Sequence, residues 1–265
     1  MVRDLLARRD LVWAFARRDR AIRFRGSALG WLWSLGQPIA TLIFLSIVFT
    51  TIFPIPPPPM GNEDGSSYAA FLFCGLVVWN LFSGLQLLSI QTLRSCGPLL
   101  GRVSFPGWTA VVGAQLVQAL QVLAELAVLA LLLLLLGNVG WSWLAAIPIL
   151  VGALMLGQGV GLVLSVLSAR LGDVRELVIV ALGLLYFATP ILYPMSALEG
   201  QSRLLLIAVS LNPVSWYVQA MHDAMYSLVT PSPIALAALL VGGAVALWLG
   251  LKSFAVLGRD LAELT

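Results

Sequence analysis

The feature that most constrains this chain is a set of apolar runs too long for any soluble core. From Trp108 to Leu136 the only ionisable side chain is Glu125, and from Ile234 to Leu251 there is none. A helix needs roughly 20 residues to cross the hydrocarbon core of a bilayer. The runs are continuous rather than alternating, so helices are expected and a β-barrel is not. The chain is 60% hydrophobic and only 10% charged, whereas a soluble domain carries about 25% charged residues. The expected fold is an all-α integral membrane protein forming a single transmembrane domain over 1–265.

Six spans are read, at 31–53, 68–91, 108–136, 143–167, 177–193 and 234–257. Pro56 to Pro59 stops the first, and Gly137-Asn138-Val139-Gly140 makes a tight turn after the third. Residues 92–107, with Arg94, Pro98, Arg102 and Pro106, read as a loop. The stretch 194–233 is moderately apolar but carries Glu199, Arg203, His222 and Asp223. Its best apolar run is too short to cross, so it reads as two short re-entrant or interfacial helices broken at Asn212-Pro213.

Residues 1–27 hold eight arginines with Leu5, Leu6, Val12, Trp13 and Ala16 at helical spacing between them. That pattern predicts an amphipathic helix on an anionic membrane surface, with Trp13 and Phe15 on its apolar face. It lacks the uninterrupted apolar core of a signal peptide. Six spans with the N-terminus inside put fourteen of the fifteen basic residues on one side and Arg203 alone on the other. A seventh span would move Lys252 and Arg259 to the wrong side. Both termini are therefore expected in the cytoplasm, and Trp31, Trp33, Trp108, Trp141 and Trp143 fall where an aromatic belt belongs.

Chemistry-bearing residues are sparse. Gly250-Leu251-Lys252-Ser253 lacks the glycine pattern of a phosphate-binding loop, so ATP is not bound that way. The single histidine, His222, excludes a histidine-based metal cluster within one chain; beside Asp223 it reads as an interfacial hydrogen-bonding pair more readily than as a catalytic one. Cys74 and Cys96 lie at different depths and predict no disulfide. Glu125 sits deep in the third span, preceded by Gln115, Gln118 and Gln121 at spacings that make a polar stripe. A carboxylate there must face protein or water. Helix-to-helix hydrogen bonding and a substrate path are the two readings, and a lone carboxylate makes a poor proton relay. Trp79 and Phe82 in the second span, and Tyr186, Phe187 and Tyr193 in the fifth, lie at depths where flat rings either pack on neighbours or line a passage for sugars.

Several stretches, in order, resemble the permeases of ABC-2-type polysaccharide exporters. Arg18-Asp19, Ile22 to Trp33 and Gln37-Pro38 are similar to their entry signature, and Tyr68 to Leu76 with Trp79 and Phe82 to their second-span pattern. Val103-Ser104-Phe105-Pro106, Thr189 to Pro194 and Asn212-Pro213 resemble later signatures. One departure is Gly172-Asp173 where the family often shows Arg-Asp, so no fixed salt bridge is carried over.

The resemblance implies a bacterial inner-membrane subunit that works as a homodimer with two copies of a separate cytoplasmic ATPase. ATP and Mg would reside on that partner, with no cofactor or metal in this chain. It implies that Arg94, Pro98, Arg102 and Phe105 belong to the loop that couples to the ATPase. Arg23, Arg25, Trp31 and Trp33 would receive a lipid headgroup. Trp79, Phe82, Tyr186, Phe187 and Tyr193 would line the path of a polyprenyl-pyrophosphate-linked glycan such as O-antigen or galactan. The basic surplus does not point to nucleic acid. A drug or lipid exporter of the same superfamily keeps the fold and changes the cargo. A polyprenyl-lipid enzyme would need acids clustered at one face, and Glu63, Asp64, Glu199 and Asp223 are scattered. An inverted-repeat secondary transporter would need a repeat that is not evident.

Overall fold

The computed structural model describes residues 9–23, 26, 30–52, 56–62, 66–100, 107–198 and 203–258. Among these, every regular element is a helix. We number them α1 (Arg9–Arg23), α2 (Trp33–Ile47), α3 (Tyr68–Leu100), α4 (Trp108–Leu135), α5 (Ala146–Arg170), α6 (Val174–Phe187), α7 (Arg203–Leu211), α8 (Pro213–Met221) and α9 (Pro233–Leu257). A wider π turn, Val48–Ile52, extends α2, and another, His222–Tyr226, follows α8.

Five of the segments are long and apolar enough to cross a membrane: those built on α2, α3, α4, α5 and α9. The expected span at 177–193 contains instead the 14-residue α6, about 21 Å long at 1.5 Å per residue. It stops at Ala188 because Pro190 cannot continue it. The buried turn Thr189–Ile191 carries the chain on, with Ile191 N–H donating to Thr189 O at 2.7 Å. The segment 92–107 also differs from a loop. Helix α3 continues to Leu100, so Arg94 and Pro98 stand on its last turns. Cys74 and Cys96 are both free and buried on α3, about 33 Å apart along its axis, which rules out a bond between them.

Helices α3 and α5 form the centre. Of the α3 span 67% is buried, against 11% for α2 at the periphery. Helix α9 runs parallel to α5 on a seam of glycines. A Cβ at Gly159 would lie 2.2 Å from Ala246 O, one at Gly250 2.3 Å from Gly159 O, and one at Gly243 2.4 Å from Gly152 O. The pairs recur every seven residues, which keeps small residues facing each other and lets the backbones touch. Tyr217 of α8 closes the seam by donating to Leu239 O at 2.6 Å.

Two arginines, Arg94 and Arg170, cap helices at one end of the bundle. Arg94 donates to Ser168 O at 3.1 Å and Gly172 O at 2.7 Å, and Arg170 donates to Leu257 O at 2.6 Å. A cation on carbonyls that lack an intrahelical partner complements the negative end of the helix dipole. Helix α1 packs beside them, with Val12 and Ala16 buried against α4; a Cβ at Gly113 would lie 2.8 Å from Val12 O. The apolar face expected from Trp13 and Phe15 therefore divides: Phe15 turns to protein and Trp13 stays exposed with the arginines.

The opposite end is tied by side-chain amides. Asn138 of the turn after α4 donates to Met225 O and Tyr226 O, and Ser142 to Ala224 O. Asn212 separates α7 from α8 and accepts from Val214 N–H at 3.0 Å as the N-cap. Its amide donates to Thr189 Oγ1 at 2.8 Å. Two distant motifs, Thr189-Pro190 and Asn212-Pro213, thus meet at one point.

Candidate functional site

A proline within α2 starts the site. Pro38 lies inside the helix and has no N–H, so the carbonyl of Ser34 loses its ordinary partner. In a bilayer such an orphan must be satisfied by protein. Gln121 of α4 supplies the bond, Nε2 to Ser34 O at 3.0 Å. Deeper along the α3–α4 interface, Gln118 donates to Asn80 O at 3.2 Å, and the Asn80 amide donates to Glu125 Oε2 at 2.9 Å. Gln118 reaches α3 because Gly84 stands there; a Cβ on it would sit 2.5 Å from Gln118 Nε2. Glu125 is 7% exposed, so the single intramembrane carboxylate is both buried and hydrogen-bonded across helices.

These groups line an open cleft of about 530 Å³ between α2, α3 and α4. Helix α2 contributes Trp33, Ser34 and Gln37 from its first turns. Helix α3 contributes Asn80, Ser83 and Gly84 at depth and Gln91 near the arginine-bearing end. Helix α4 contributes Gln118, Gln121 and Glu125. From Gln91 to Asn80 the cavity runs about 16 Å along α3.

A second feature occupies another face of α3. Trp79 packs edge-on against Tyr186 of α6 with ring centroids 5.4 Å apart. Phe82 is tilted against Trp79 at 6.3 Å, and Tyr186 meets Phe187 edge-on at 5.5 Å. The Tyr193 hydroxyl donates to Phe187 O at 3.0 Å. Trp79 and Phe82 are buried while Phe187 is 66% exposed, so the rings run from the interior to the open face of α6.

The model of the ABC-2 type transporter family matches residues 10–226, most of the chain. The chain belongs to the ABC-2 type transporter family. Among its relatives, an O-antigen export system permease protein RfbA of Myxococcus xanthus is 28% identical over 272 residues, covering 99% of this chain and 98% of the relative. A protein of the same name from Klebsiella pneumoniae is 22% identical, covering 81% of this chain and 79% of its own length.

Within this ABC-2 chain the residues singled out by sequence fall into three groups. Trp79, Phe82, Tyr186, Phe187 and Tyr193 come together as one aromatic series. Gln118, Glu125 and Trp33 come together at the cavity. Arg94 is spent on capping α5, and Arg25, Arg102 and Phe105, with the side chains of Arg23, Trp31 and Pro98, lie outside the described residues. The sequence gives no site reading for Asn80, Ser83 and Gln91, and Gln37 enters it only through the Gln37-Pro38 motif. Helical spacing carried a signal for them, because Asn80, Ser83, Gly84 and Gln91 share one face of α3. Next to the arginine caps, Asp19 and Phe15 of α1 border a small polar gap with Thr92, Ser95 and Cys96, and Arg18 Nη1 lies 3.8 Å from Cys96 Sγ.

Proposed function

We propose that this chain is the membrane-spanning subunit of an exporter of polyprenyl-pyrophosphate-linked polysaccharide. It acts as a homodimer with two copies of a separate cytoplasmic ATPase, in the inner membrane of a bacterium, with both termini on the ATPase side. The chain has no ATP site or cofactor of its own; ATP and Mg belong to the partner. The observation that carries the reading is the Myxococcus xanthus relative, which matches over nearly its whole length and is named for O-antigen export.

The geometry supports a passive conduit moved from one end. The arginines hold the ends of α5 and α9, so force applied at that end is passed to two parallel helices welded along a glycine seam. The segment around Arg94, Pro98, Arg102 and Phe105 is the docking element for the ATPase. Closure of the ATPase pair rocks the two permease halves and opens a passage between them. Arg23 and Arg25 draw the pyrophosphate to its entry, and the glycan slides past the Trp79–Tyr186–Phe187 rings. Ring faces suit this task, since they contact sugar C–H surfaces without fixing a register.

The test is reconstitution of the purified complex in vesicles. Lipid-linked glycan should stimulate ATP hydrolysis and reach the lumen. Trp79→Ala with Tyr186→Ala should slow glycan passage by about tenfold or more while ATP hydrolysis without glycan continues. Transport by this chain with no nucleotide hydrolysed would overturn the reading, and undiminished passage in the double variant would return the rings to simple packing.

A further inference from the structure

The cavity between α2, α3 and α4 has a chemistry that neither helix packing nor an anionic headgroup explains. Among the described residues that line it, none is basic. A pyrophosphate placed there would meet the Glu125 carboxylate with no cation to offset it, so the cavity is not the seat of that group. A metal ion is no better served: one carboxylate, already hydrogen-bonded to Asn80, makes a poor cage, and no metal-ligating cluster occurs among the described residues. What lines it instead is a set of carboxamides, each offering donor and acceptor together, interleaved with Ser34, Ser83 and the apolar Leu87, Leu88 and Trp33.

Several of these groups are not consumed by the fold. The Gln37 and Gln91 amides form no hydrogen bond among the described residues, and only one Glu125 oxygen is engaged. The volume lies within the roughly 300–1,000 Å³ of small-molecule sites. Trp33 stands half exposed at its mouth with a flat apolar face. Carboxamides and a carboxylate around a roomy cleft, with one indole at its lip, match a ring that carries many hydroxyls and no charge. Access comes from the side, because α2 is held by few buried residues and flanks the opening.

We infer that this cavity binds a neutral sugar ring presented by a membrane lipid, with Gln37, Gln91 and Glu125 engaging its hydroxyls and Trp33 covering its apolar face. Gln121 and Asn80 are positioning residues: the first holds α2 through the Ser34 carbonyl that Pro38 leaves unpartnered, the second orients the carboxylate. The site rests on the export reading only for the identity of the lipid that carries the sugar.

The full-length chain in lipid nanodiscs tests this with three radiolabelled probes: polyprenyl phosphate bearing one neutral hexose, polyprenyl phosphate without sugar, and a glucosyl diacylglycerol. Ser83→Leu fills the cavity at low structural risk, since the Ser83 hydroxyl bonds only the Trp79 carbonyl of its own helix. Gln37→Leu, at the exposed lip, removes a contact without touching the buried network. The hexose lipid should bind about tenfold more tightly than the sugar-free lipid, and Ser83→Leu should abolish that preference. Gln37→Leu should reduce it severalfold. Equal binding of the two polyprenyl lipids with no Ser83-dependent binding of the glucosyl diacylglycerol, or a hexose preference that survives Ser83→Leu, overturns the inference. If only the glucosyl diacylglycerol binds, and does so in a Ser83-dependent way, the cavity stands and the export reading loses its carrier lipid. If the hexose makes no difference but lipid-linked glycan still drives hydrolysis by the complex, the export reading stands and the cavity falls.

Discussion

Gly242 and Gly243 are neighbours on α9, and the structure assigns opposite signs to the same substitution at the two. A Cβ at Gly242 meets nothing within 4 Å, while one at Gly243 would lie 2.4 Å from Gly152 O and 3.1 Å from Gly152 C. Ordinary contact needs about 1 Å more. The atom it strikes is backbone, so no rotamer change relieves the clash and the α5–α9 seam must part. Overpacking of this kind costs about 1–3 kcal/mol. Gly242→Ala has no such penalty and gains up to about 1 kcal/mol from helix propensity. The assay is thermal unfolding of the detergent-solubilised protein, followed by fluorescence and by the monodisperse fraction after heating. At roughly 2–4 °C per kcal/mol for a chain of this size, Gly243→Ala should lower the midpoint by about 2–12 °C. Gly242→Ala should hold or raise it. Gly159→Ala, aimed at Ala246 O, should repeat the Gly243 result. If Gly243→Ala unfolds with the parent while Gly242→Ala unfolds at a lower temperature, the seam has been assigned to the wrong face of α9.

Asn80→Leu should destabilise the protein by about 1–3 kcal/mol by leaving Glu125 without its donor, and adding Glu125→Leu should recover part of the loss in a double-mutant cycle. Asn212→Ala removes an N-cap and the bond to Thr189, and should cost about 1–2 kcal/mol and expose the 188–213 region to limited proteolysis. His222, which lies outside the spans, donates from Nε2 to Phe71 O at 3.0 Å and stacks on the Phe71 ring at 4.0 Å. Burial pushes its pKa down to about 4 from the usual 6.5. The unfolded chain therefore takes up a proton between those values and the folded one does not. Stability is full above pH ~6.5 and falls as the pH drops toward 4; unfolding midpoints measured from pH 8 to pH 4.5 should show that decline, and His222→Gln should flatten it.

Much of the architecture was legible in the chain because the signals are local. Apolar length gives spans, arginine placement gives the sided character of the bundle, and proline and asparagine mark breaks. Boundaries were less legible. Helix α3 runs past Gln91 to Leu100 because Arg94 and its neighbours find partners on α5 rather than in water, a tertiary fact. The 14-residue α6 followed by a buried turn was hidden as well, since Ile191 and Thr189 are as apolar or as mild as span residues and only packing decides that their backbone leaves the helix.

Glu125 divides the two kinds of knowledge most cleanly. Sequence placed a carboxylate and three glutamines on one stripe of α4 and left its meaning open between packing and passage. Which reading holds depends on what stands opposite, and that is set by Asn80, Gly84 and Pro38 on two other helices. One-dimensional hydropathy determined that this chain lives in a bilayer and which end carries its positive charge, because burial in lipid depends on composition along a helix. Only the packed bundle decided that the stripe lines a polar cavity and that the aromatic rings form a connected series, because such sites are made where faces of separate helices meet.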